Sequence, residues 1–446
     1  MVSPPSPYTA VAGWDEVGKA PLEGAAIVGT VARSAGYEVI GYDLRQKPED
    51  ETMVFEELRS GDVVCIAGSP DSYRFVKAFS AAIKARDKTI AVILGGPLAT
   101  VSWKVVLART SVDYCVVGEG ERAFPELLRR LARRDHVAPT GVVSRSACQR
   151  GLYIASEAVP LAEVPCPDYS LWVNDPEASR PILVCYSTQR GCRFACDFCA
   201  NPWRGTWRAA ESGKIKSDLQ KLKSGGTRKV WFNDPTFNIE EEHCRMVAQL
   251  MGSAEVRLPW ACAVRATPAS SELFSVMKAG GCQVVFLGIE SADDTVLAEN
   301  RKGITTDDVK RCLEAARRAG MPVVGFLVLG LPGETEASIQ KTLRFIEDKM
   351  HSFVIPRPRF AVPYPGTELF QQRCQQRDRK AFPHREDFEE HILEAISERR
   401  CDETDVPTVP AVSPDVIREA RNRMLALVEE RKGLLLGDIS FSRQVD

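Results

Sequence analysis

Two long stretches of the chain alternate short apolar runs, rich in Val and Ile, with helical segments. In the first 140 residues the helical segments are 20–36 and 72–88, and the strand-like runs are 38–44, 62–68, 89–96 and 112–120. Continuous apolar strands separated by helices are typical of a parallel sheet that is covered on both faces. The sequence therefore predicts an α/β fold that begins with a doubly wound, Rossmann-like domain over residues 1–140.

The alternation resumes after a Pro- and Ser-containing segment, which we predict to be a linker over residues 141–179. The predicted strands are 181–187, 229–234, 260–266, 283–291, 322–333 and 353–366, and the predicted helices are 211–224, 240–252, 269–279, 305–319 and 335–347. Six such units are fewer than the eight of a closed barrel. Residues 180–370 are therefore predicted to form an open, partial (β/α)6 barrel, and the charge-rich residues 371–446 a helical region that packs across it.

Composition excludes several classes of protein. The 446-residue chain has a formal net charge of −2, so we expect neither nucleic acid nor an anionic membrane surface as a partner. No apolar run reaches the length of a spanning helix, and the first residues lack the basic and apolar regions of a secretory signal. We therefore expect a cytoplasmic protein whose 14 cysteines are mostly reduced thiols.

Three of those cysteines, Cys192, Cys196 and Cys199, lie within eight residues of one another in the segment "TQRGCRFACDFCANPWRG". Their polar and flexible neighbours indicate a loop, where a buried structural thiol is not expected. Zinc sites close with four ligands, or keep one position open when the protein supplies three. A [4Fe–4S] cluster has four irons, so three cysteines leave one iron free to bind a small molecule. The spacing favours the cluster.

Several polar segments follow the predicted barrel strands, where the ligands of such folds bind. These segments are the cysteine loop, Asn233-Asp234, Glu290-Ser291 and residues 330–333. Because parallel strands end at the same edge, we expect the segments to lie together. A carboxylate buried there is costly unless it is paired, so either a ligand or Arg265 should satisfy Glu290.

The C-x3-C-x2-C motif, with Phe198 before its third cysteine, resembles the radical SAM superfamily. Elements similar to those of the family follow in order over most of residues 180–370, namely "VWFNDPTF", "WACAVRA", "QVVFLGIES", "GFLVLGLPGET" and "VPYPGTEL". The resemblance implies that the three cysteines hold a [4Fe–4S] cluster whose open iron binds S-adenosylmethionine (SAM). Reductive cleavage of SAM then yields a 5′-deoxyadenosyl radical that takes hydrogen from a small-molecule substrate, with electrons from a flavodoxin- or ferredoxin-like donor or a partner reductase.

Further cofactor contacts are implied by the same resemblance. Asn233 and Asp234 are expected to accept hydrogen bonds from the amino group of SAM. Glu290 and Ser291 are expected to meet its ribose or methionine part. Phe198, with Val328 or Leu329, is expected to flank the adenine.

The first domain is similar to the cobalamin-binding domain that precedes the barrel in one class of radical SAM proteins. The segments "ILGGPLAT" and "VVGEGERAFPELLRRL" carry this resemblance. The D-x-H-x-x-G motif of that class, whose histidine ligates cobalt, is missing, and no histidine precedes His136. Leu98 also stands where a histidine usually follows "GGP". The sequence therefore leaves cobalamin binding open.

Several functions remain in competition. The missing histidine tilts the prediction toward radical dehydration of a specialised metabolite such as an aminosugar, a lyase reaction known from the radical SAM dehydratases of aminoglycoside biosynthesis. Cobalamin-dependent C-methylation is the alternative. A tRNA methylthiotransferase is disfavoured, since the first domain has only Cys65 and Cys115 before Cys148 and the chain is not basic. An electron-transfer protein would need a fourth ligand, for which Cys185 and Cys244 are the nearest thiols.

Overall fold

The computed structural model describes residues 1–4, 20–45, 47–149, 157–174, 179–349, 354–398 and 412–438. These residues form two six-stranded sheets and one two-stranded hairpin. Within them, no helix combines the length and the apolar character needed to cross a membrane.

The first domain is built on a sheet of six short strands. They are β1 (Val2–Ser3), β2 (Tyr42–Asp43), β3 (Val63–Ala67), β4 (Ala91–Gly95), β5 (Tyr114–Val116) and β6 (Val142–Ser144). Their order in the sheet is β2-β1-β3-β4-β5-β6, and every pairing is parallel except that of β5 with β6. The helices of this domain are Glu23–Ser34, Glu51–Glu57, Tyr73–Arg86, Pro97–Arg109, Gly120–Ala132 and Arg145–Gln149.

Alternate residues of the central strands enter two different cores. Val64 and Leu94 pack with the helices Tyr73–Arg86 and Pro97–Arg109, whereas Ile93 packs on the other face with the helix Gly120–Ala132. Helices therefore cover both faces, which explains why these strands are apolar without a polar alternation. The predicted doubly wound parallel sheet is confirmed.

The edges of this sheet differ from the sequence prediction. Of the run 38–44 only Tyr42–Asp43 forms a strand, and Gly41 instead bridges to Trp172. The strand Val142–Ser144 belongs to the first sheet, although we predicted a linker from residue 141. Elements of two or three residues are fixed by their partners in the sheet, so no run in the sequence indicates them.

The second sheet contains six parallel strands. They are β7 (Leu183–Tyr186), β10 (Lys229–Phe232), β11 (Trp260–Val264), β12 (Cys282–Glu290), β13 (Val323–Leu329) and β14 (Val354–Phe360). The order β14-β13-β12-β11-β10-β7 places β7 and β14 at the two edges, and no pairing within the described residues joins them. The partial (β/α)6 barrel predicted for this part of the chain is thus confirmed.

Helices connect and flank the barrel strands. They are Ser212–Ser224, Glu241–Gly252, Ser271–Ala279, Asp294–Glu299, Thr306–Arg318, Glu336–Lys349, Glu368–Gln376, Arg385–Ser397 and Pro414–Asp438. Short 3-10 helices span Pro48–Asp50, Pro70–Ser72, Leu161–Glu163 and Tyr169–Leu171. A hairpin of β8 (Gln189–Cys192) and β9 (Thr206–Ala209), which the sequence did not predict as strands, follows β7.

The C-terminal helices divide between the two domains. Ile417 and Met424 of the helix Pro414–Asp438 enter the barrel core, as predicted. The helix Arg385–Ser397 instead packs on the first domain, where Leu393 joins the core and Glu390 accepts from Lys77 at 2.8 Å. The charge-rich sequence of this helix is partly explained by such contacts across the domain boundary.

Candidate active site between two sheets

The cysteine loop connects the two strands of the hairpin. Cys192 ends β8, and Cys196 and Cys199 follow in the connection to β9. Gly191 has a φ of +84°, and a Cβ atom there would lie 2.3 Å from the carbonyl oxygen of Thr206. Only glycine therefore fits beside Cys192. Cys192 and Cys196 are buried and Cys199 is half-buried, so the loop shelters all three thiols from solvent.

The chemistry of this donor set fits an iron–sulfur cluster. In the described part of the chain, no group of three or more His, Cys, Asp or Glu side chains is placed around a single metal ion. A cubane cluster has a different requirement, because each thiolate binds a separate iron. Beside the loop, the buried guanidinium of Arg265 stacks on Phe194 at 3.8 Å, and its Nε and Nη2 have no hydrogen-bond partner among the described residues. An anionic group at the loop would satisfy these donors.

Asp234 holds the turn that leads into the cysteine loop. Its carboxylate accepts from the backbone nitrogen of Thr188 at 2.8 Å, from the hydroxyl of Thr188 at 2.6 Å and from the backbone nitrogen of Gln189 at 3.1 Å. Burial raises the pKa of Asp234 to about 7. His243, whose pKa is lowered by burial, lies 3.0 Å from the same hydroxyl. The predicted contact between Asp234 and SAM stays a prediction, and the bonds observed here favour a positioning role.

Asn233, the other residue predicted at this strand end, contacts the first domain. Its side-chain amide donates to Glu23 at 3.4 Å, and Glu23 also accepts from the backbone nitrogen and hydroxyl of Ser187 at 2.6 and 2.7 Å. Burial raises the pKa of Glu23. The first helix of the first domain thus reaches the carboxyl ends of β7 and β10.

The sequence predicted that a ligand or Arg265 would satisfy Glu290. In the structure Glu290 does not pair with Arg265. Its carboxylate accepts from Lys302 at 2.7 Å, and both side chains are buried. A Cβ atom on Gly288 would lie 2.6 Å from the carboxylate, so glycine leaves room for this ion pair. Glu290 also has a φ of +63°, a conformation that costs a non-glycine residue energy and is enriched at active sites. The sequence did not predict Lys302 as the partner of Glu290, because no motif or regular spacing along the chain connects the two residues.

Ser291 and Phe198 have different surroundings. Ser291 is fully buried and accepts from the backbone nitrogen of Asp293 at 3.2 Å, which fixes the chain after β12. Phe198 packs in one cluster with Val328, whereas Leu329 lies in the barrel core. Of the two aliphatic residues predicted to flank the adenine, Val328 shares a cluster with Phe198 and Leu329 does not, and the adenine contact itself stays a prediction.

Four charged residues join the cysteine hairpin to the first domain. Arg190 pairs with Glu121 at 2.6 Å and with Glu119 at 3.4 Å, and Arg208 of β9 also pairs with Glu119. Both glutamates are buried and belong to the "GEGE" turn after β5. We call this set the interdomain ion-pair cluster. It ties the residue two positions before Cys192 to the carboxyl end of the first sheet.

A cavity of about 740 Å³ lies between the carboxyl ends of the two sheets. One wall is formed by the turns at residues 68–69, 95–97 and 118–121, and the other includes Gln189, Arg190 and Asn233. Gly96 has a φ of +88°, and a Cβ atom there would meet the carbonyl oxygen of Gly68 at 2.8 Å. A Cβ atom on Gly95 would have nothing within 4 Å, because this position faces open space.

A wall of glycine backbone suits the broad face of a macrocycle such as the corrin ring of cobalamin, because no side chain prevents close approach. The four histidines within the described ranges, His136, His243, His384 and His391, do not line the cavity.

Each of the two domains matches the model of a known protein family. A family model for the B12 binding domain matches residues 18–128, and the model of the radical SAM superfamily matches residues 186–346. The chain is therefore a radical SAM enzyme with an N-terminal B12-binding domain. Such an enzyme uses a [4Fe–4S] cluster and SAM.

Two relatives match over more than two thirds of the chain. An uncharacterized methyltransferase of Pyrococcus horikoshii is 26% identical over 322 residues, which is 70% of this chain and 69% of the relative. The hopanoid C-3 methylase of Methylococcus capsulatus is 25% identical over 383 residues, which is 79% of this chain and 68% of the relative.

A solved structure covers nearly the whole chain. The radical SAM methyltransferase TsrM of Kitasatospora setae, with tryptophan substrate and a SAM analog bound, has a TM-score of 0.71 at 17% identity. The match covers 96% of this chain and 89% of TsrM. At this level of identity the likeness shows the fold.

Proposed function

We propose that the protein is a cobalamin-dependent radical SAM methyltransferase that acts on a small molecule. The observation that carries the proposal is the cavity between the two sheets, which joins the glycine-lined wall of the B12-binding domain to the cysteine hairpin. A cofactor held on that wall would face the barrel site across the same space. Relatives that match 70% and 79% of this chain are described as a methyltransferase and a methylase, which supports the same reaction.

Side chains of the barrel would bind the cofactors and position the cysteine loop. Cys192, Cys196 and Cys199 would bind the cluster, and Arg265 would donate to the carboxylate of SAM. When bound, the cluster and SAM supply a radical that removes hydrogen from the substrate, and cobalamin supplies the methyl group. Asp234 keeps the cysteine loop in place through Thr188 and Gln189. The interdomain ion-pair cluster holds the hairpin against the first domain, and Arg190, Glu119 and Glu121 line the cavity.

Radical dehydration, which the sequence favoured, leaves the glycine wall without a role. The lyase reaction and an aminosugar substrate therefore become the alternative hypothesis. In either reaction the cluster needs an external electron, for which we propose a flavodoxin- or ferredoxin-like donor.

Methyl transfer and dehydration differ in the products of SAM. The reconstituted protein should be incubated anaerobically with SAM and titanium(III) citrate, with and without hydroxocobalamin, and without any substrate. The proposal predicts S-adenosylhomocysteine only when cobalamin is present, because this product forms when SAM gives up its methyl group. Formation of 5′-deoxyadenosine without any S-adenosylhomocysteine would support dehydration instead.

The cluster ligands can be tested separately. We expect Cys196→Ala to lose the iron–sulfur absorption band and the formation of 5′-deoxyadenosine together, since two thiolates cannot hold the cluster. Cys148→Ala, which removes a half-buried thiol of the first domain, is the matched control and should retain both. A Cys196→Ala protein that still cleaves SAM would exclude the assigned ligands.

A further inference from the structure

The barrel wall of the cavity carries two arginines on its edge strand. Arg357 and Arg359 are two residues apart on β14 and both line the cavity, as expected for positions on one face of a strand. In the sheet Arg357 lies opposite Phe326, and Arg359 lies opposite Val328. Val328 packs against the same small apolar cluster as Phe198 of the cysteine loop.

The acidic residues that line the cavity are engaged elsewhere. Glu119 and Glu121 belong to the interdomain ion-pair cluster, and Glu23 accepts from Ser187 and Asn233. Arg45 is paired with Asp43.

Arg359 is different. Its guanidinium has no hydrogen bond, ion pair or ring contact within the described ranges, although the residue is half-buried. A guanidinium that lines a cavity without a counter-ion keeps its donors available, and an anionic ligand would accept charge-assisted hydrogen bonds from them.

An aromatic surface lies beside these arginines. The rings of Trp231 and Phe286 meet edge to face at 4.8 Å, and Phe286 and Phe326 are 5.7 Å apart. All three rings line the cavity, and the guanidinium of Arg357 lies 5.9 Å from the centre of the Phe326 ring. The barrel half of the cavity thus offers an apolar floor with a cationic edge. An organic molecule with a flat or apolar body and one anionic group matches both features.

We propose that the substrate carries a carboxylate or phosphate group, which Arg359 binds while the rest of the molecule lies over Trp231, Phe286 and Phe326. This inference rests on the proposed function and names the substrate class of its site. Arg359 stands on the barrel and not on the glycine wall, which favours the substrate over the cofactor as the source of the anion. The phosphate of the cobalamin nucleotide is the other source of the same chemistry.

Two fluorescent probes test the anion site without knowledge of the substrate. 8-Anilinonaphthalene-1-sulfonate is an aromatic anion, and N-phenyl-1-naphthylamine is a neutral molecule of similar shape. We expect Arg359→Gln to weaken binding of the anion roughly tenfold and to leave the neutral probe unchanged, because only a charge-assisted bond is lost. Phe326→Ala should weaken both probes, which locates them on the aromatic floor. Arg318→Gln, an exposed position on a barrel helix, is the matched control and should change neither.

The outcomes separate this inference from the proposed function. Equal weakening of both probes by Arg359→Gln, or no weakening of either, would overturn the anion site. Loss of bound hydroxocobalamin in Arg359→Gln would assign the arginine to the cofactor and overturn the substrate class. If the wild-type protein selects the anionic probe through Arg359 but retains no cobalamin, the anion site stands and methyl transfer fails.

Discussion

Single residues of the cysteine hairpin carry strict steric requirements. Gly191 and Gly205 have nearly the same left-handed φ, +84° and +80°, but only Gly191 faces another part of the backbone. A Cβ atom on Gly191 would lie 2.3 Å from the carbonyl oxygen of Thr206, whereas one on Gly205 would have nothing within 4 Å. Alanine at Gly205 would therefore carry only the energetic cost of a left-handed backbone, whereas alanine at Gly191 would carry that cost and the cost of a steric clash.

We predict that Gly191→Ala destabilises the protein by several kcal/mol and prevents cluster assembly, because strand β9 must move away from Cys192. Gly205→Ala should cost only about 1 kcal/mol, the penalty for a left-handed alanine. Urea denaturation of the apoprotein and iron content after reconstitution measure the two effects. Equal losses in the two variants would contradict the steric argument.

Glu334, which follows the "GLPG" turn, gives stability an unusual pH dependence. Burial raises its pKa to about 7, although the backbone nitrogen of Gly330 donates to it at 2.6 Å. The folded state therefore binds a proton that the unfolded state releases near pH 4.5, so this group makes the protein less stable as the pH rises from about 4.5 to about 7.

We predict that Glu334→Gln gains stability relative to the wild type between pH 5 and pH 8, by up to about 3 kcal/mol. Glu314→Gln is the control, because Arg317 and Arg318 lower the pKa of Glu314 to about 2 and its carboxylate stays ionised throughout this range. Free energies of unfolding of the three apoproteins at both pH values measure the difference. A difference for Glu334→Gln that does not vary with pH would contradict the assignment.

The sequence identified residues of the site where spacing alone carries the information. The cysteine loop was recognised because its three thiols lie within eight residues of one another. The partner of Glu290 could not be recognised, because Lys302 reaches it only through the turn after the helix Asp294–Glu299. Arg265, which was predicted as the partner of that carboxylate unless a ligand satisfied it, lies instead against Phe194.

At the scale of elements, the hairpin β8–β9 depends on the first domain for its position. The pair Arg208–Glu119 lies at the domain boundary, with the glutamate side chain only 5% exposed. Removing Arg208 would leave the buried Glu119 with the backbone nitrogen of Val159 at 2.8 Å and the more distant Arg190 at 3.4 Å, which weakens its pairing and destabilises the fold. The pair Arg122–Glu163 is half-exposed at 52% and 51% and serves as a matched comparison.

We predict a coupling energy of about 1–3 kcal/mol for Arg208 and Glu119 in a double-mutant cycle with Arg208→Gln and Glu119→Gln. The same cycle on Arg122 and Glu163 should give below about 1 kcal/mol, because water screens an exposed pair. Unfolding free energies of the apoproteins provide both values. A smaller coupling for Arg208 and Glu119 than for the exposed pair would contradict the importance of this contact.

The elements that the sequence predicted correctly are long and apolar. The run 283–291 became Cys282–Glu290, and the helix predicted over 305–319 became Thr306–Arg318. The strands it missed, including Val2–Ser3 and Thr206–Ala209, are short and lie where pairing alone makes a strand. The helix Arg385–Ser397 lies within the region 371–446 that was predicted to be helical, but its attachment to the first domain depends on tertiary contacts such as that of Arg109 with Asp387.

At the scale of the whole molecule, two largely parallel sheets face each other through their carboxyl ends, with the 740 Å³ cavity between them. Each half was predicted from its own motifs, but the space between them depends on how the domains pack. That packing favours methyl transfer over dehydration, because it places the glycine wall opposite the cysteine hairpin.

Retention of cobalamin is the most direct test of the claim that the glycine wall binds this cofactor opposite the cysteine hairpin. The protein should be reconstituted anaerobically with iron, sulfide and hydroxocobalamin, desalted, and examined by absorption spectroscopy. We predict about one equivalent of bound corrin for the wild type and for Gly213→Phe, which adds the same ring at a surface helix where a Cβ atom meets nothing within 4 Å. Gly95→Phe, which fills the cavity from the glycine wall, should lose the corrin and keep the cluster band. A wild-type protein that loses all corrin while it keeps its cluster would contradict the account, as would equal retention by Gly95→Phe.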